Sequence, residues 1–481
     1  MKTHPPAVAF LLCLVLLIPA CKDDDDPPPP PPLPVIQDIN SSTDPKSPIN
    51  VAIEINGTGF TATVGTVRFD DGTSPVDVVP AAAGWSDTSI VVVVPVTFTP
   101  PLTVTVSVIT QHGTSNGMDL DLVTVPAFTP SNLAWGTTTS LPEGLRGLKA
   151  VGMPGSATRA YIYISGGQTG AGTPQNRSNC RFLGVSLNPT FTVDGSWTDV
   201  TALPDTRAFH AMAAAHAGNS FVGSTGAYLY VIGGQAQATD GTVGTTAVYV
   251  GSVDRTDGSV AGWATTTPLP AARWGHTALI YRGFLYVLGG YDDTGTPVDT
   301  IHQAWINADG TLGSFSPAQT ALPQGIGSLG ATAFGGFLYI IGGETIVSTD
   351  PNDASVGGEL TDALYAPVSY GAIGAFSTTG TTTIGKRRKK HVLWNSFGQI
   401  VVAEGVYSGA LGSNEMMSTD INADGTLGAW EGLTGGSVAN ADVFNCAAAL
   451  SPLSPSTGPR FFLIGGDDFA GNAVATTWVN T

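Results

Sequence analysis

The chain has 481 residues, of which 61 are Gly and 34 are Pro, and only 12% are charged. Lys and Arg total 19 against 37 Asp and Glu, a formal net charge of -18, and strong helix formers are scarce. The length predicts more than one domain and the composition predicts strands, while the acidic balance excludes nucleic acid as a partner, because phosphate neutralisation needs a basic face.

In residues 1–20 one Lys precedes an apolar run from Ala7 to Ala20 that is short for a bilayer span. It reads as an export signal. Ile18-Pro19-Ala20-Cys21 resembles the lipobox of bacterial lipoproteins, which implies cleavage before Cys21 and lipidation of that residue. The membrane is then a partner through acyl chains, without a transmembrane helix. Lys22 with Asp23 to Asp26 resembles the signal that sends lipoproteins of the Bacteroidetes to the outer face of the outer membrane, which implies display on the cell surface. Residues 21–33 form an acidic, Pro-rich tether that cannot pack, about 40 Å long as polyproline II. Cys180 and Cys446 are expected as two buried thiols rather than a disulfide, and no Cys/His spacing suits a metal.

Residues 34–124 alternate apolar and polar in short runs broken by Gly, Pro and Asn, as in Val51-Ala52-Ile53-Glu54-Ile55 and Val104-Thr105-Val106-Ser107-Val108. That is the pattern of a β-sandwich. Gly57-Thr58-Gly59-Phe60, Val67-Arg68-Phe69, Trp85-Ser86-Asp87-Thr88 with Ile90 to Pro95, and Ser115-Asn116 resemble the IPT/TIG family of immunoglobulin-like domains. The resemblance implies a spacer or binding module with no catalytic residues.

From residue 125 to 481 self-similarity dominates. Trp135, Trp197, Trp263, Phe315, Phe376 and Trp430 recur at intervals of 62, 66, 52, 61 and 54. Apolar strands follow that end in glycine pairs: Gly166-Gly167, Gly233-Gly234, Gly289-Gly290, Gly342-Gly343 and Gly465-Gly466, with a degenerate fifth copy at Glu404-Gly405. These six units resemble the kelch repeat, a four-stranded blade of a β-propeller. The expected fold is therefore all-β: an Ig-like β-sandwich followed by a six-bladed kelch-type β-propeller. Asp257-Gly258, Asp309-Gly310 and Asp424-Gly425 predict tight hairpins between third and fourth strands; a calcium loop at Asn307-Ala308-Asp309-Gly310 lacks the further carboxylates it needs. The array opens on its Trp135 strand and stops after Trp478-Val479, so the first strand is expected to complete the last blade.

Where each innermost strand begins, Arg207 and His210, Arg273 and His276, and Arg388 and His391 share one spacing. Ile326 and Leu329 or Val443 and Cys446 replace them in two units, and Arg146 with Lys149 stands one residue out of register. The pattern suits a structural element in which Arg and His satisfy turn carbonyls. The functional reading is a ring of cations at one mouth that binds an anionic group such as a uronate, sialate or carboxylate side chain. One basic loop, Lys386-Arg387-Arg388-Lys389-Lys390, holds five of the 19 cations. The candidate ligand-binding residues are accordingly Arg207, Arg273, Lys386, Arg387, Arg388, Lys389, Lys390 and Glu404. Asp292, Asp293, Glu344, Asp467 and Asp468 are expected at the same mouth, where facing carboxylates could act on a sugar.

No catalytic residues, metal site or cofactor are assigned. The reading is a cell-surface lipoprotein that binds a glycan or protein ligand. The enzymatic alternative resembles the periplasmic sialic acid mutarotases in having six kelch units, with Arg207, Arg273 and Glu404 as the positions to test. Copper oxidases resembling galactose oxidase need Tyr and His ligands that do not align here, and the Asp-x-Gly boxes of sialidases are missing.

Overall fold

The computed structural model describes residues 31–480 apart from 40–44, 48, 50–51, 81–84, 124–133, 157, 171–172, 188–189, 217–219, 221, 223–225, 237–243, 319, 348–357, 370, 397, 408–415, 423, 433–442, 455–457 and 469–471. The chain is all-β: every regular element among the described residues is a strand, and Leu33–Thr481 forms one compact unit. Lipidation at Cys21, the acidic run after it and the boundary near residue 124 lie outside the described residues.

The first nine strands make two sheets. One contains Val35–Ile39, Ala52–Thr58 and Ser89–Val93; the other contains Lys46–Ser47, Met118–Leu122, Leu102–Thr110, Thr66–Asp70 and Val76–Val78. Successive side chains of a strand point to opposite faces, so the alternation Val104, Val106, Val108 puts all three into a core with Ile53, Ile55 and Ile90. Phe60, Phe69 and Trp85 fill the same core. The Trp85 indole N–H donates to the Thr61 carbonyl at 2.9 Å, so the ring is buried with its polar edge satisfied. Gly57 is dictated by close approach: a Cβ there would come within 2.0 Å of the Val35 carbonyl oxygen.

Six antiparallel sheets follow. Their first strands are Lys149–Pro154, Ala211–His216, Thr277–Tyr281, Gly330–Phe334, Val392–Ser396 and Ala447–Ser454. Each first strand touches the next, and the sixth touches the first. The last sheet is completed from the other end of the array: Trp135–Thr137 pairs antiparallel with Thr477–Asn480, as the two ends of the sequence led us to expect. Apolar side chains fill the spaces between sheets, including Ile162 and Ile164 with Phe462 and Ile464 where the first and sixth meet. The Asp-Gly hairpins dock on the preceding sheet: the hydroxyls of Tyr163, Tyr230 and Tyr339 donate to the carbonyls of Gly258, Gly310 and Gly425 at 2.6, 2.6 and 3.0 Å.

Two cycles of backbone hydrogen bonds tie the six sheets together. In the outer one the second residue of each glycine pair donates to the next sheet: Gly167 to Arg207, Gly234 to Arg273, Gly290 to Ile326, Gly343 to Arg388, Gly405 to Val443 and Gly466 to Leu145, at 2.7–3.2 Å. In the inner one Phe209 donates to Gly147, Gly275 to Phe209, Ser328 to Gly275, Lys390 to Ser328, Asn445 to Lys390 and Gly147 to Asn445, at 2.8–3.4 Å. The last bond of each cycle returns to the first sheet.

The sandwich docks on the opposite ends of the first strands, at the turns that join them to second strands. Arg282, in the turn after Thr277–Tyr281, forms a buried ion pair with Glu54 and donates to the Val368 carbonyl at 2.6 Å. The Tyr281 hydroxyl donates to Glu54 at 3.0 Å and accepts from the Gly336 N–H at 2.8 Å.

The glycine pairs should be intolerant of any side chain. Gly290 has φ +90°, and a Cβ there would lie 2.6 Å from the His276 Cβ and 2.7 Å from the Trp274 carbonyl oxygen. Gly290→Ala is expected to lower unfolding free energy by about 2 kcal/mol or more. Gly262→Ala, at a strand position with nothing within 4 Å, should stay within about 0.5 kcal/mol of the parent. Urea unfolding of the two variants checks this, and equal stabilities would contradict it.

Candidate functional site

The outer cycle sets the true register of the six units. Leu145, Arg207, Arg273, Ile326, Arg388 and Val443 are equivalent, because their carbonyls accept the six outer-cycle bonds. The first unit therefore starts on Leu145 rather than Arg146, which explains why Arg146 and Lys149 look displaced by one residue.

The three equivalent arginines serve their own sheets. Arg207 donates to the Gly233 carbonyl at 2.7 Å, forms a fork with Asp205 at 2.7 and 2.9 Å, and lies over the Tyr249 ring. Arg273 donates to the Gly289 carbonyl at 3.1 Å and the Thr300 hydroxyl at 2.9 Å. Arg388 donates to the Glu404 carbonyl at 3.3 Å. Each guanidinium thus supplies donors to the first residue of its glycine-type pair, the structural role that the spacing suggested.

The basic run is not a loop. Residues 386–389 belong to the strand Ser377–Lys389, and Arg388, Lys389 and Lys390 are buried while Arg387 is exposed. The side chain of Lys386 lies outside the described residues. Lys389 is held by Glu344 at 2.7 Å and Glu359 at 3.7 Å, all three almost fully enclosed. Lys390 lies 5.8 Å from the centre of the Phe444 ring.

Above the inner cycle, the next residue of each unit pairs with the residue after the glycine pair: Arg146 with Gln168, Ala208 with Gln235, Trp274 with Tyr291, Gly327 with Glu344, Lys389 with Val406 and Phe444 with Asp467. These residues form a dense polar and aromatic floor. Arg146 is ion-paired with Asp467 and bonded to Gln168 at 3.2 Å; Gln168 donates to Asn176 at 3.1 Å. The Tyr291 hydroxyl donates to Glu344, and its ring stacks on Trp274 with centroids 4.3 Å apart. Burial raises the Asp467 carboxyl above its ordinary range, with Arg146 opposing the rise. The other expected mouth carboxylates cap turns: Asp292 accepts from the Thr294 and Thr296 N–H groups, Asp293 from Gly244, and Asp468 from Asn472.

Glu404 is fully enclosed, at φ +60°, in the one pair whose first residue is not Gly. It sits against the next sheet, where the Val443 N–H approaches its carboxylate at 3.5 Å, and its charge raises the Cys446 thiol after burial has done so. In the other units that space is taken by the residue three after the register position. His210 rests on Gly166, His276 on Gly233, Leu329 on Gly289, His391 on Gly342 and Leu148 on Gly465. A side chain at the first pair position thus goes with the small Cys446 at the other. Cys180 and Cys446 are both free buried thiols, as expected.

The layer of histidines is uncharged. Burial pushes His391 down to about 3, with Arg388 and Lys149 acting in the same direction. His210 and His276 lie well below the ordinary value for the same reasons, burial first and neighbouring cations next. His210 bonds to the Ser165 hydroxyl at 2.7 Å. Sequence reasoning missed the inner cycle itself. Its signal was present only at Gly147 and Gly275, because Phe209, Ser328, Lys390 and Asn445 occupy the same left-handed conformation without being Gly.

A scan of protein-family models finds none that matches this chain, and a search of curated proteins finds no match either.

The neutral histidines give the fold a defined acid sensitivity. A histidine held neutral when folded and free to ionise when unfolded makes unfolding take up protons, so stability falls as pH drops from about 6.5 towards the folded value near 3. Leu occupies the His391 position in the first and fourth units. His391→Leu is therefore expected to fold and to remove up to about 1.4 kcal/mol per pH unit from the slope. Urea unfolding across that interval measures it; an unchanged slope would show that His391 ionises in the folded chain.

Proposed function

We propose that this chain is a surface lipoprotein anchored through Cys21, in which an IPT/TIG-type sandwich carries a six-bladed kelch-type propeller whose mouth recognises a glycan or protein ligand. The two closed hydrogen-bond cycles and the pairing of Trp135–Thr137 with Thr477–Asn480 support the propeller reading. The Phe60, Phe69 and Trp85 core supports the sandwich reading. The sandwich docks at the turns that join first to second strands, at the opposite ends of the first strands from the two cycles.

The observation that carries binding over catalysis is the state of the charged groups. Arg207, Arg273 and Glu404, the residues a mutarotase-like activity would use, are 0%, 2% and 0% exposed and serve the sheets around them. Glu344 and Asp467 are enclosed in ion pairs. Among the described residues Arg387 on one strand is exposed, as are Ile346 and Val347 after the Glu344 bridge, at 40% and 57% for the latter two. An exposed cation and exposed apolar side chains suit recognition of an acidic glycan or a protein.

Full-length protein on an array that includes uronates and sialates, with a whole-cell pull-down beside it, is expected to give a ligand whose binding is lost in the Lys386→Ser, Arg387→Ser double variant. Replacing Arg388, Lys389 or Lys390 would test folding instead, because they are buried. Blank results in both assays would favour a purely structural role, and anomer exchange of sialic acid accelerated in NMR would overturn the binding-only view. Cys21→Ala should abolish incorporation of a labelled fatty acid and release the protein from membranes.

A further inference from the structure

The inner cycle surrounds a cavity of about 50 Å³ to which all six sheets contribute, with Lys149, His276, Ser328, Lys390, His391 and Cys446 among its walls. That is room for a few waters or one small ion, and far below the roughly 300 Å³ that sites for organic ligands start from. Lys149 is the feature that the fold does not explain. The equivalent residues of the other first strands are Ala211, Thr277, Gly330, Val392 and Ala447, so at this position only the first sheet carries a charge, one of two ammonium groups in the cavity wall with that of Lys390.

Lys149 lines the cavity and is half-buried. It shares the cavity wall with residues of the other five sheets, which places it close to the axis, and its charge acts on His210, His276 and His391. Among the described residues it makes no hydrogen bond or ion pair, and burial lowers its pKa. The one group that acts in the opposite sense is the Cys446 thiol, itself kept protonated by burial and by Glu404 behind it. Arg207, Arg273 and Arg388 add positive charge around the layer, each with a guanidinium N–H given to a carbonyl of its own turn.

Two further side chains are short of partners. Neither ring nitrogen of His276, which is 1% exposed, or of His391 has a hydrogen bond among the described residues, although the Ile232 and Ile341 carbonyls act on the two rings. A neutral imidazole keeps one N–H donor, and Lys149 has three donors and no acceptor. A narrow cavity whose wall carries an ammonium without a counter-charge concentrates anions small enough to enter it.

We propose that the axial cavity binds one small inorganic anion of halide size, held by the Lys149 Nζ and flanked by His276 and His391. The anion would be a component of the closed ring rather than the rim's ligand, so this proposal stands independently of what the mouth recognises.

The test uses the full chain with chloride or bromide as the probe. Sodium chloride should raise the Tm saturably relative to sodium gluconate at equal ionic strength, since gluconate is too large to enter, and should broaden the ³⁵Cl resonance. Crystals soaked in bromide should show an anomalous peak in the cavity. Lys149→Met is expected to weaken the chloride response by about tenfold or more. Its own baseline stability is not the readout, because removing an uncompensated charge can stabilise. Equal Tm values in the two salts with no bromide peak would overturn the proposal, as would a saturable chloride response unchanged by Lys149→Met.

Discussion

Everything in the larger part of this chain depends on six backbone N–H groups finding six carbonyls in a cycle. A sheet arranged face to face with its neighbours gains apolar burial, but its first strand leaves an unpaired edge. Here that edge is managed at the start of each first strand, where one residue turns left-handed so that its N–H reaches the preceding sheet while its carbonyl accepts from the next. Four of the six residues that do so are not Gly, with φ between 51° and 55°. Each such residue costs about 1 kcal/mol in backbone conformation, similar to the net worth of one hydrogen bond. The inner cycle is therefore not a source of large net stability. It is a condition that all six sheets meet together, and the apolar cores between sheets supply the free energy that enforces it.

The outer cycle shows how sequence variation is accommodated within that condition. A Cβ on the first residue of Gly166-Gly167 would meet the Arg207 carbonyl oxygen at 2.3 Å, so glycine is needed where a His or Leu from the next sheet also closes in. In the fifth unit Glu404 breaks the rule, and the neighbour is Cys446, the smallest residue at that position. The Gly405 bond to Val443 survives, at 3.2 Å the longest of its cycle. Degeneracy in the repeat is thus paired across a sheet boundary rather than confined to one unit, and a single unit read alone looks merely eroded.

Much of this was legible in the sequence because it is written in backbone requirements. Paired glycines after apolar strands, Asp-Gly turns and the incomplete ends of the array each demand a particular local geometry, and each appears where expected. Side-chain fate was less legible. Five consecutive cations read as a solvated loop, because burying them looks prohibitive until the partners are known. Glu344 and Glu359 lie 45 and 30 residues from Lys389 in sequence, and only the sheet pairing brings them to it. The register of the first unit was hidden for the opposite reason: Leu145 and Leu148 resemble ordinary core residues, while Arg146 and Lys149 mimic the motif one step late.

The same logic resolves the contrast between an acidic chain and its basic interior. Where strands leave the sheets near the axis, turned-out carbonyls accumulate, and a carboxylate has nothing to donate to them. Arg207, Arg273 and Arg388 do, with several N–H groups on one rigid fork. In the outer turns the surplus is of N–H groups, and there Asp257, Asp309 and Asp424 accept from Ser259, Thr311 and Thr426. The register arginines thus gather at the centre and the turn-capping aspartates at the periphery because the backbone presents acceptors in one place and donors in the other, while Glu344, Glu359 and Asp467 are enclosed at the centre as partners of Lys389 and Arg146. The formal charge of -18 belongs to the chain as a whole. At three of the six register positions an arginine answers a turn carbonyl, and Arg146 and Lys389 answer carboxylates, whereas Lys149 is a cation whose presence the backbone does not require.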